Sequence, residues 1–514
     1  MGQTIISQNP ATLESLGEVN IGMREQIEAA VEKATIASKS WAALDFPQRA
    51  RFIYKLRDLI CREKEGLAEL ICKENGKPMI EAIVADIFPV LELATYFAKN
   101  TYKLLRREKI WLGKWSLMGR ESYIEFYPLG IVGIISPWNY PFSIPCGQII
   151  MSLMAGNTVV LKPSEYSPLV GLRIGELFKE VGIPEGVVNV VTGDGRTGAM
   201  LVESKVGKIF FTGSVNTGKK IMESAAKTLK PVTLELGGKD PMIVCEDANL
   251  EIASSAAIWG GFTNSGQVCA SVERLIVHEK VIDYFQDLCV QKALRLRQGN
   301  GMDPEIEIGA MTNRMQLEKV EAQVERAKKE GAEVLVGGER EMQFQGHFFK
   351  PTLLTHVHPD MEIMQEETFG PVIPIIAFKN DKEAIEIANN SHYGLTASVW
   401  SKNLSRAQSI ASQIEAGTVM INENVYTYAL SETPWGGPKD SGIGRTHGKY
   451  GLLEMVEWRH IHINRATRVK NFWWYGYNYA KYQFILRLCD FFFAPRLWQR
   501  LLSLFKVIWW GTRL

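Results

Sequence analysis

Four short apolar runs decide the fold: GIVGII (130–135), NTVVLKP (157–163), VVNVVTG (187–193) and KIFFTGS (208–214). Each run is rich in β-branched residues, and a segment with helical spacing separates it from the next. Strands that alternate with helices in this way form βαβ units over a parallel sheet, an architecture typical of nucleotide-binding proteins. We therefore predict an α/β protein that contains a Rossmann-like domain.

The regions on either side extend this pattern. Apolar residues recur every three or four positions from about residue 22 to 105, which predicts packed helices. A second α/β pattern runs from about 240 to 437 and contains the strand-like runs RLIVHE (274–279) and PVIPIIAF (371–378). A chain of 514 residues is longer than one hydrophobic core usually supports, so we expect two or more domains.

The composition excludes several classes of protein. With 46% hydrophobic residues, 22% charged residues and a net charge of +1, the chain has no overall attraction to nucleic acid. The seven cysteines show no CxxC or metal-ligand spacing, which favours reduced thiols and predicts no metal site. The N-terminus lacks the basic and apolar regions of a secretory signal, so we expect a protein that is not secreted.

Two residues in glycine-marked settings are the candidate catalytic pair: Glu235 in LELGGK (234–239) and Cys269 in GQVCAS (266–271). A thiol that adds to a carbonyl and is later released by water needs a sulfur nucleophile and a base. Cys269 would also need thiolate character, which a helix N-terminus or a positive neighbour supplies. Taken alone, Cys269 fits an inert buried thiol better, and Glu235 fits a solvated strand end equally well.

Further motifs accompany this pair along the chain. They are NPAT (9–12), SPWNYPF (136–142), LKPSE (161–165), FTGSVNTG (211–218), EETFGPV (366–372) and SHYGLTASVW (391–400). In this order, and up to about Asn464, the chain resembles the aldehyde dehydrogenase superfamily. The resemblance implies NAD(P)-dependent oxidation of an aldehyde through a thiohemiacetal and a thioester on Cys269, in a homodimer or homotetramer.

The resemblance also implies roles for the catalytic residues. Asn139 matches the asparagine of the oxyanion hole, with the backbone N–H of Cys269 as its companion, although Trp-Asn-Tyr-Pro is also a good turn. Glu235 matches the base that activates water. Family members that transfer the acyl group to coenzyme A often lack this glutamate, so the expected product is the free acid.

For the cofactor, the resemblance places Lys162 and Glu165 at the adenine-side ribose. A carboxylate there repels a 2′-phosphate and favours NAD, although Lys162 could tolerate NADP. The other implied cofactor residues are Trp138, Gly213, Ser214, Gly218, Glu367 and Phe369. Trp138 and Phe369 could instead be ordinary core residues.

A second glycine motif, GDGRTG (193–198), follows the run VVNVV. It lacks the acidic residue that a dinucleotide fingerprint carries about twenty residues further on. We therefore predict a tight turn there and assign the pyrophosphate to Gly213, Ser214 and Gly218, where a glycine-rich turn leads into a helix.

Together with these patterns, the resemblance implies the following domain boundaries. Residues 1–115 and 130–237 form the NAD-binding domain, 238–437 the catalytic domain, 116–129 and 438–464 a small β oligomerisation element, and 465–514 a helical tail.

The tail is aromatic and basic, and Asp490 is its single acidic residue against nine Lys and Arg. Charged residues and Pro495 interrupt its apolar runs, which disfavours a transmembrane helix. From Arg496 to Trp510 a helix would carry a basic arc and a broad Leu/Trp/Phe face, so we predict peripheral membrane contact through residues 484–514 on the cytoplasmic side. The extension resembles that of membrane-associated fatty aldehyde dehydrogenases. Packing on a partner subunit, with aromatic residues closing a substrate funnel, is the alternative, and both could hold.

A membrane-bound enzyme favours an apolar substrate, so we expect a long-chain or isoprenoid-type aldehyde. Two alternatives stay open: a small polar aldehyde such as succinic semialdehyde or betaine aldehyde, with the tail serving oligomerisation, or a non-catalytic membrane scaffold or binding protein. Acyl transfer to coenzyme A is disfavoured by Glu235.

Overall fold

The computed structural model describes residues 3–468 and 470–513. The chain divides into two compact units, one made of residues 1–106 and 126–458 and the other of residues 107–125 and 459–514. The predicted outer boundaries at residues 1 and 514 lie outside the described residues.

The strands of the described residues are these: β1 (Thr4–Gln8), β2 (Ser15–Asn20), β3 (Glu108–Ile110), β4 (Arg120–Pro128), β5 (Ile131–Ile135), β6 (Thr158–Lys162), β7 (Val188–Val190), β8 (Lys208–Thr212), β9 (Val232–Glu235), β10 (Asp240–Val244), β11 (Val272–His278), β12 (Glu333–Val336), β13 (Thr352–Thr355), β14 (Val372–Phe378), β15 (Thr396–Trp400), β16 (Thr418–Ile421), β17 (Gly442–Ile443) and β18 (Val456–Asn464).

The α-helices are these: α1 (Arg24–Ala43), α2 (Phe46–Asn75), α3 (Met79–Glu81), α4 (Phe88–Leu105), α5 (Lys114–Leu117), α6 (Ser143–Ala155), α7 (Pro168–Glu180), α8 (Gly195–Glu203), α9 (Val215–Ala226), α10 (Leu250–Phe262), α11 (Ile282–Ala293), α12 (Arg314–Glu330), α13 (Glu362–Gln365), α14 (Asp381–Asn389), α15 (Leu404–Ala411), α16 (Gly448–Leu453), α17 (Tyr479–Phe493) and α18 (Leu497–Gly511). A π-helix (Ala82–Ile87) joins α3 to α4, and 3₁₀ turns cover Thr263–Gly266, Tyr426–Ala429 and Lys439–Ser441.

The four runs that predicted the fold form β5, β6, β7 and β8. These strands belong to the six-stranded sheet β17-β9-β8-β5-β6-β7. β9, β8, β5, β6 and β7 are parallel, and β17 joins the edge of β9 antiparallel. Every residue of β5 and β6 is buried, as expected for parallel strands covered on both faces. The α/β fold class predicted from the sequence is confirmed.

The second predicted α/β pattern forms the seven-stranded sheet β12-β13-β14-β11-β10-β15-β16. Its strands are parallel except for β12, which pairs antiparallel with β13. The runs RLIVHE and PVIPIIAF coincide with β11 and β14. The loop before β11 carries Cys269, so this sheet positions the candidate nucleophile.

The helical pattern predicted for residues 22–105 corresponds to α1 through α4. Asp45 caps the start of α2 by accepting from Gln48 N, and Gly76 ends the helix with φ of 97°. Trp41, Ile53 and Phe97 are fully buried in the core that these helices share with the six-stranded sheet. Their packing places the buried ion pair of Lys77 and Asp86 next to Asn139.

The second unit contains β3, most of β4 and β18, and the tail helices α17 and α18; the three strands form the sheet β18-β4-β3. α17 begins at its cap Asn478, whose side chain accepts from Lys481 N, and α18 begins after Pro495 and Arg496. The helical tail predicted from the sequence is therefore confirmed. Among the residues described, no helix is both long and apolar enough to cross a bilayer.

Candidate active site

A cavity of about 670 Å³ lies at the carboxyl ends of β5, β6 and β8. β5 lies between the other two, and its last residue, Ile135, pairs with Lys162 on one side and Phe211 on the other. The helices α8 and α9 start at the same edge. In open α/β sheets, ligands bind in the crevice where connections leave a central strand in opposite directions.

Most of the predicted site residues line this cavity. They are Trp138, Asn139, Lys162, Glu165, Gly213, Ser214, Cys269, Glu367 and Phe369. Gly218 and Glu235 are not part of its lining. Gly218 lies in α9, where an added Cβ would be 2.7 Å from the Leu236 side chain, so this glycine serves close packing. Glu235 ends β9 and is buried beside the cavity.

The GDGRTG motif does more than form the predicted tight turn. Asp194 caps α8 by accepting a hydrogen bond from Arg196 N at 2.8 Å, and Gly195 and Gly198 line the cavity. The N-termini of α8 and α9 therefore both lie at this cavity, where they favour a bound group with negative charge. The assignment of the pyrophosphate to Gly213, Ser214 and Gly218 stays a prediction.

A strained turn precedes Cys269 and places it at the cavity. Asn264, Ser265 and Gly266 all have positive φ, of 51°, 54° and 72°. A Cβ on Gly266 would lie 2.0 Å from the Gly370 carbonyl oxygen, so this position requires glycine. All three residues are buried, and strain of this kind persists only where the surrounding structure holds it in place.

The electrostatic setting of Cys269 differs from the expected one. The thiol lies in a turn before β11, and burial raises its pKa, with further raising contributions from Asp240, Glu235 and Glu367. This setting disfavours the thiolate, whereas the sequence argument expects a neighbour that favours it.

Asn139 is fixed through its backbone. Its carbonyl accepts from the buried Lys77 Nζ at 2.8 Å and from Asn264 Nδ2 at 2.9 Å. Lys77 is in turn paired with buried Asp86 at 2.7 Å. The Asn139 side-chain amide donates to the Gln267 carbonyl at 3.0 Å, and a primary amide has a second hydrogen to offer.

Glu235 is a buried carboxyl group with a strongly shifted pKa. Burial raises its pKa to about 8, against lowering contributions from Arg445 and from a hydrogen bond with Trp435. Its Oε1 atom is buried with no hydrogen-bond partner among the described residues. A base with a pKa near the working pH can both accept and return a proton.

The ring of Phe369 lies edge-to-face against Trp138, with ring centroids 5.3 Å apart. Phe369 has φ of 55°, which is a strained conformation for a bulky residue. The carboxylate of Glu273 accepts from Thr368 N at 2.8 Å and from Phe369 N at 2.9 Å, and pairs with buried Lys239 at 2.7 Å. This clamp, absent from the sequence prediction, holds the strained loop.

The cavity wall fits a dinucleotide. Lys162 Nζ lies 3.1 Å from Glu165 Oε2 at the end of β6, so a cation and a carboxylate together face the cavity. Ser136 lines the same wall, and its buried hydroxyl has no partner among the described residues. Orphaned polar atoms and helix N-termini in one crevice suit hydroxyl and phosphate groups.

Cys269 packs against a buried cluster that contains Trp435, and Tyr140 and Tyr428 pack against the same cluster. The rings of Tyr428 and Trp435 are 5.3 Å apart and perpendicular. These side chains come from three separate segments, and no motif in the sequence marks them as a group. They make the packing around Cys269 largely apolar.

Comparison with known proteins agrees with this geometry. The profile of the Aldehyde dehydrogenase family matches residues 1–461. The chain is 36% identical over 491 residues to 4,4'-diapolycopene aldehyde oxidase of Methylomonas sp, covering 96% of this chain and 92% of that protein. It is 38% identical to betaine aldehyde dehydrogenase of Bacillus subtilis, covering 90% and 94%.

Among solved structures, the NAD+ complex of an aldehyde dehydrogenase from Bacillus cereus is 42% identical, with a TM-score of 0.86 and coverage of 90% of this chain and 94% of that one. Sequence and fold therefore agree over nearly the whole chain. The protein belongs to the aldehyde dehydrogenase family.

Proposed function

We propose that this protein oxidises an apolar aldehyde to the free carboxylic acid, with NAD as the preferred cofactor. As a member of its family it is an NAD(P)-dependent aldehyde dehydrogenase. The finer statements rest on the site. The observation that carries them is one cavity lined by Cys269 and Asn139, with buried Glu235 next to it.

In the proposed reaction, Cys269 Sγ forms a bond to the carbonyl carbon, and the thiol proton passes to a water molecule and from there to solvent. The carbonyl oxygen becomes an alkoxide, which the Asn139 amide and the Cys269 N–H stabilise. Bound NAD(P) supplies the acceptor for the hydride, and the residues proposed to hold it are Lys162, Glu165, Gly213, Ser214, Glu367, Trp138 and Phe369. A thioester on Cys269 is left.

Release of the product needs water. Ionised Glu235 takes a proton from a water molecule, whose oxygen bonds to the acyl carbon as the carbon–sulfur bond breaks. Glu235 then returns this proton to the departing sulfur, which restores the thiol. Retention of this carboxyl group argues against coenzyme A as the acceptor. Retention of Cys269, Asn139 and Glu235 together also argues against a non-catalytic scaffold.

Two observations support an apolar substrate. Cys269 shares one hydrophobic cluster with Tyr140, Tyr428 and Trp435. In addition, the match to 4,4'-diapolycopene aldehyde oxidase covers 96% of the chain. The tail after Asn464 is longer than the unmatched remainder, so this similarity extends into the tail. The similarity to a betaine aldehyde dehydrogenase keeps a small polar aldehyde as the alternative.

The preference for NAD rests on Glu165, whose carboxylate would repel a 2′-phosphate. We further propose a homodimer or homotetramer and a peripheral membrane location on the cytoplasmic side, with contact through residues 484–514. The aromatic and basic composition of the tail supports this location.

The test is NADH formation with hexanal, hexadecanal and succinic semialdehyde. We expect the highest kcat/KM with hexadecanal, a lower value with NADP than with NAD, and no stimulation by coenzyme A. If succinic semialdehyde gives the highest kcat/KM, the apolar substrate is wrong. If iodoacetamide fails to label Cys269 and no aldehyde yields NADH, the catalytic proposal itself fails.

A further inference from the structure

The last helix, α18, turns its apolar side outward within its own unit. Its outer stripe consists of Leu497, Trp498, Leu501, Leu502, Phe505, Ile508 and Trp509, with exposures from 49% to 71%. Ser503, on the polar arc, is only 7% exposed. A helix that meets water on its outer face has the opposite arrangement.

Contacts with α17 fix this orientation. Trp510 packs on Tyr479 with ring centroids 5.9 Å apart, and Arg500 Nε donates to the Ala494 carbonyl at 2.6 Å. Part of the polar face of α18, which carries Arg500 and Ser503, therefore packs inside the hairpin that α17 and α18 form. The sequence pattern shows two arcs on α18 but not which of them α17 covers.

A second segment of the same unit adds to this apolar surface. Trp111 is 71% exposed and Leu117 is 81% exposed. The segment is tied to the tail, because Lys114 Nζ lies 3.8 Å from the ring centroid of Phe492 and Trp115 lies 5.7 Å from Trp473. We call the outer stripe of α18, together with Trp111 and Leu117, the outer apolar surface.

Charge indicates what covers this surface. The residues after Asn464 carry nine Lys and Arg against one Asp. Arg496 and Lys506 are exposed beside the stripe, where long basic side chains can keep their charges in water while their neighbours are buried. Exposed tryptophans and flanking cations are typical of a helix that lies in the headgroup region of anionic lipid.

We propose that the outer apolar surface docks on an anionic lipid layer, with the stripe of α18, Trp111 and Leu117 entering the boundary of the acyl chains. A second copy of this chain is a poorer occupant, because a two-fold contact would bring the same positive charges together. The inference deepens the membrane contact stated under the proposed function, and it adds residues 107–118, which lie outside the predicted contact region.

The test is cosedimentation of the full chain with vesicles of phosphatidylcholine, with and without phosphatidylglycerol, at low and high salt. One variant carries Leu501→Gln, Phe505→Gln and Ile508→Gln, and a second carries Trp111→Ser and Leu117→Ser. The matched control changes three apolar residues of the first unit that are at least as exposed: Ile36→Gln, Leu229→Gln and Met342→Gln.

We expect the wild type and the control to bind only the anionic vesicles, more weakly at high salt. The α18 variant should lose at least about tenfold in partitioning, and the Trp111/Leu117 variant about threefold. Equal binding by all four proteins, or none by the wild type, overturns the proposal. So does unchanged vesicle binding with dissociation of the oligomer in the α18 variant, because the surface would then be covered by a second copy.

Hexanal oxidation in buffer is measured in parallel for every variant. It reports the catalytic site without lipid, so a failure of membrane docking can be told apart from a failure of the proposed reaction. All the variants should retain this activity.

Discussion

At the residue scale, the environment of Glu235 predicts how the reaction depends on pH. Burial raises the pKa of this carboxyl group to about 8, so it is mostly protonated at neutral pH and cannot accept a proton. Hydrolysis of the thioester should therefore accelerate with rising pH and level off above about pH 8. The measurement is the steady-state rate of NADH formation across this range.

Glu235→Gln is the matching variant, because it keeps the shape of the side chain and removes the base. We expect one burst of NADH per site, followed by turnover about a hundredfold or more below that of the wild type. The steady-state rate should also lose its rise with pH. Full turnover in the variant would assign the base to another group.

Asn139 offers a second test at this scale, on the acylation step. Asn139→Ala should lower kcat/KM by about a hundredfold to a thousandfold, because the alkoxide loses a donor. The variant loses the side-chain donation to the Gln267 carbonyl but keeps the backbone contacts with Lys77 and Asn264, so the melting temperature should fall only slightly. A large fall in melting temperature with a small loss of kcat/KM would instead show a structural role.

At the element scale, the loop that carries Phe369 is held by Glu273 at the start of β11. Glu273→Gln should loosen the loop and raise KM for NAD about tenfold, because one charged acceptor for two backbone N–H groups is lost. KM for the aldehyde should change much less. Initial rates at varied NAD and varied aldehyde separate the two effects.

Two controls distinguish positioning of Phe369 from general destabilisation. Glu74 is a buried carboxylate that also accepts hydrogen bonds from two consecutive backbone N–H groups, those of Leu169 and Val170. Glu74→Gln is therefore the control: it makes the same change away from the Phe369 loop. Glu273→Gln also leaves the buried ammonium of Lys239 without its carboxylate partner. The double variant Lys239→Met with Glu273→Gln removes this unpaired charge, so it separates loss of the clamp from the cost of a buried cation. If Glu74→Gln raises KM for NAD equally, the clamp has no specific role.

The GDGRTG motif shows at the element scale what a local pattern leaves open. The sequence predicts a tight turn there, and in the structure Asp194 caps α8 while Gly195 and Gly198 also line the cavity. Helix capping is a local property that the sequence does encode. Which helix N-termini meet in one crevice depends on the order of strands in the sheet.

At the scale of the whole molecule, lipid should matter for apolar substrates and not for soluble ones. Anionic vesicles should raise the rate of hexadecanal oxidation by the wild type, because enzyme and substrate then meet at one surface. The α18 variant with Leu501, Phe505 and Ile508 changed to Gln should lose this stimulation. Its hexanal oxidation should match that of the wild type, and equal stimulation of both proteins by lipid would contradict the prediction.

The sequence by itself determined the fold class, the family and the types of residue at the site. Strand and helix periodicity is local, and the motifs around Glu235 and Cys269 mark chemistry that needs those side chains. The helical tail was also predictable, because Pro495 and the apolar spacing after it are local signals.

Only the tertiary structure decided how these residues behave. Burial raises the pKa of Glu235, and burial together with acidic neighbours raises the pKa of the Cys269 thiol. Glu273 reaches a loop 95 residues away in the chain. Packing on α17 selects the arc of α18 that faces outward. The physical reason is common to all four: desolvation, charge and packing depend on neighbours brought together from distant parts of the chain, which no local pattern specifies.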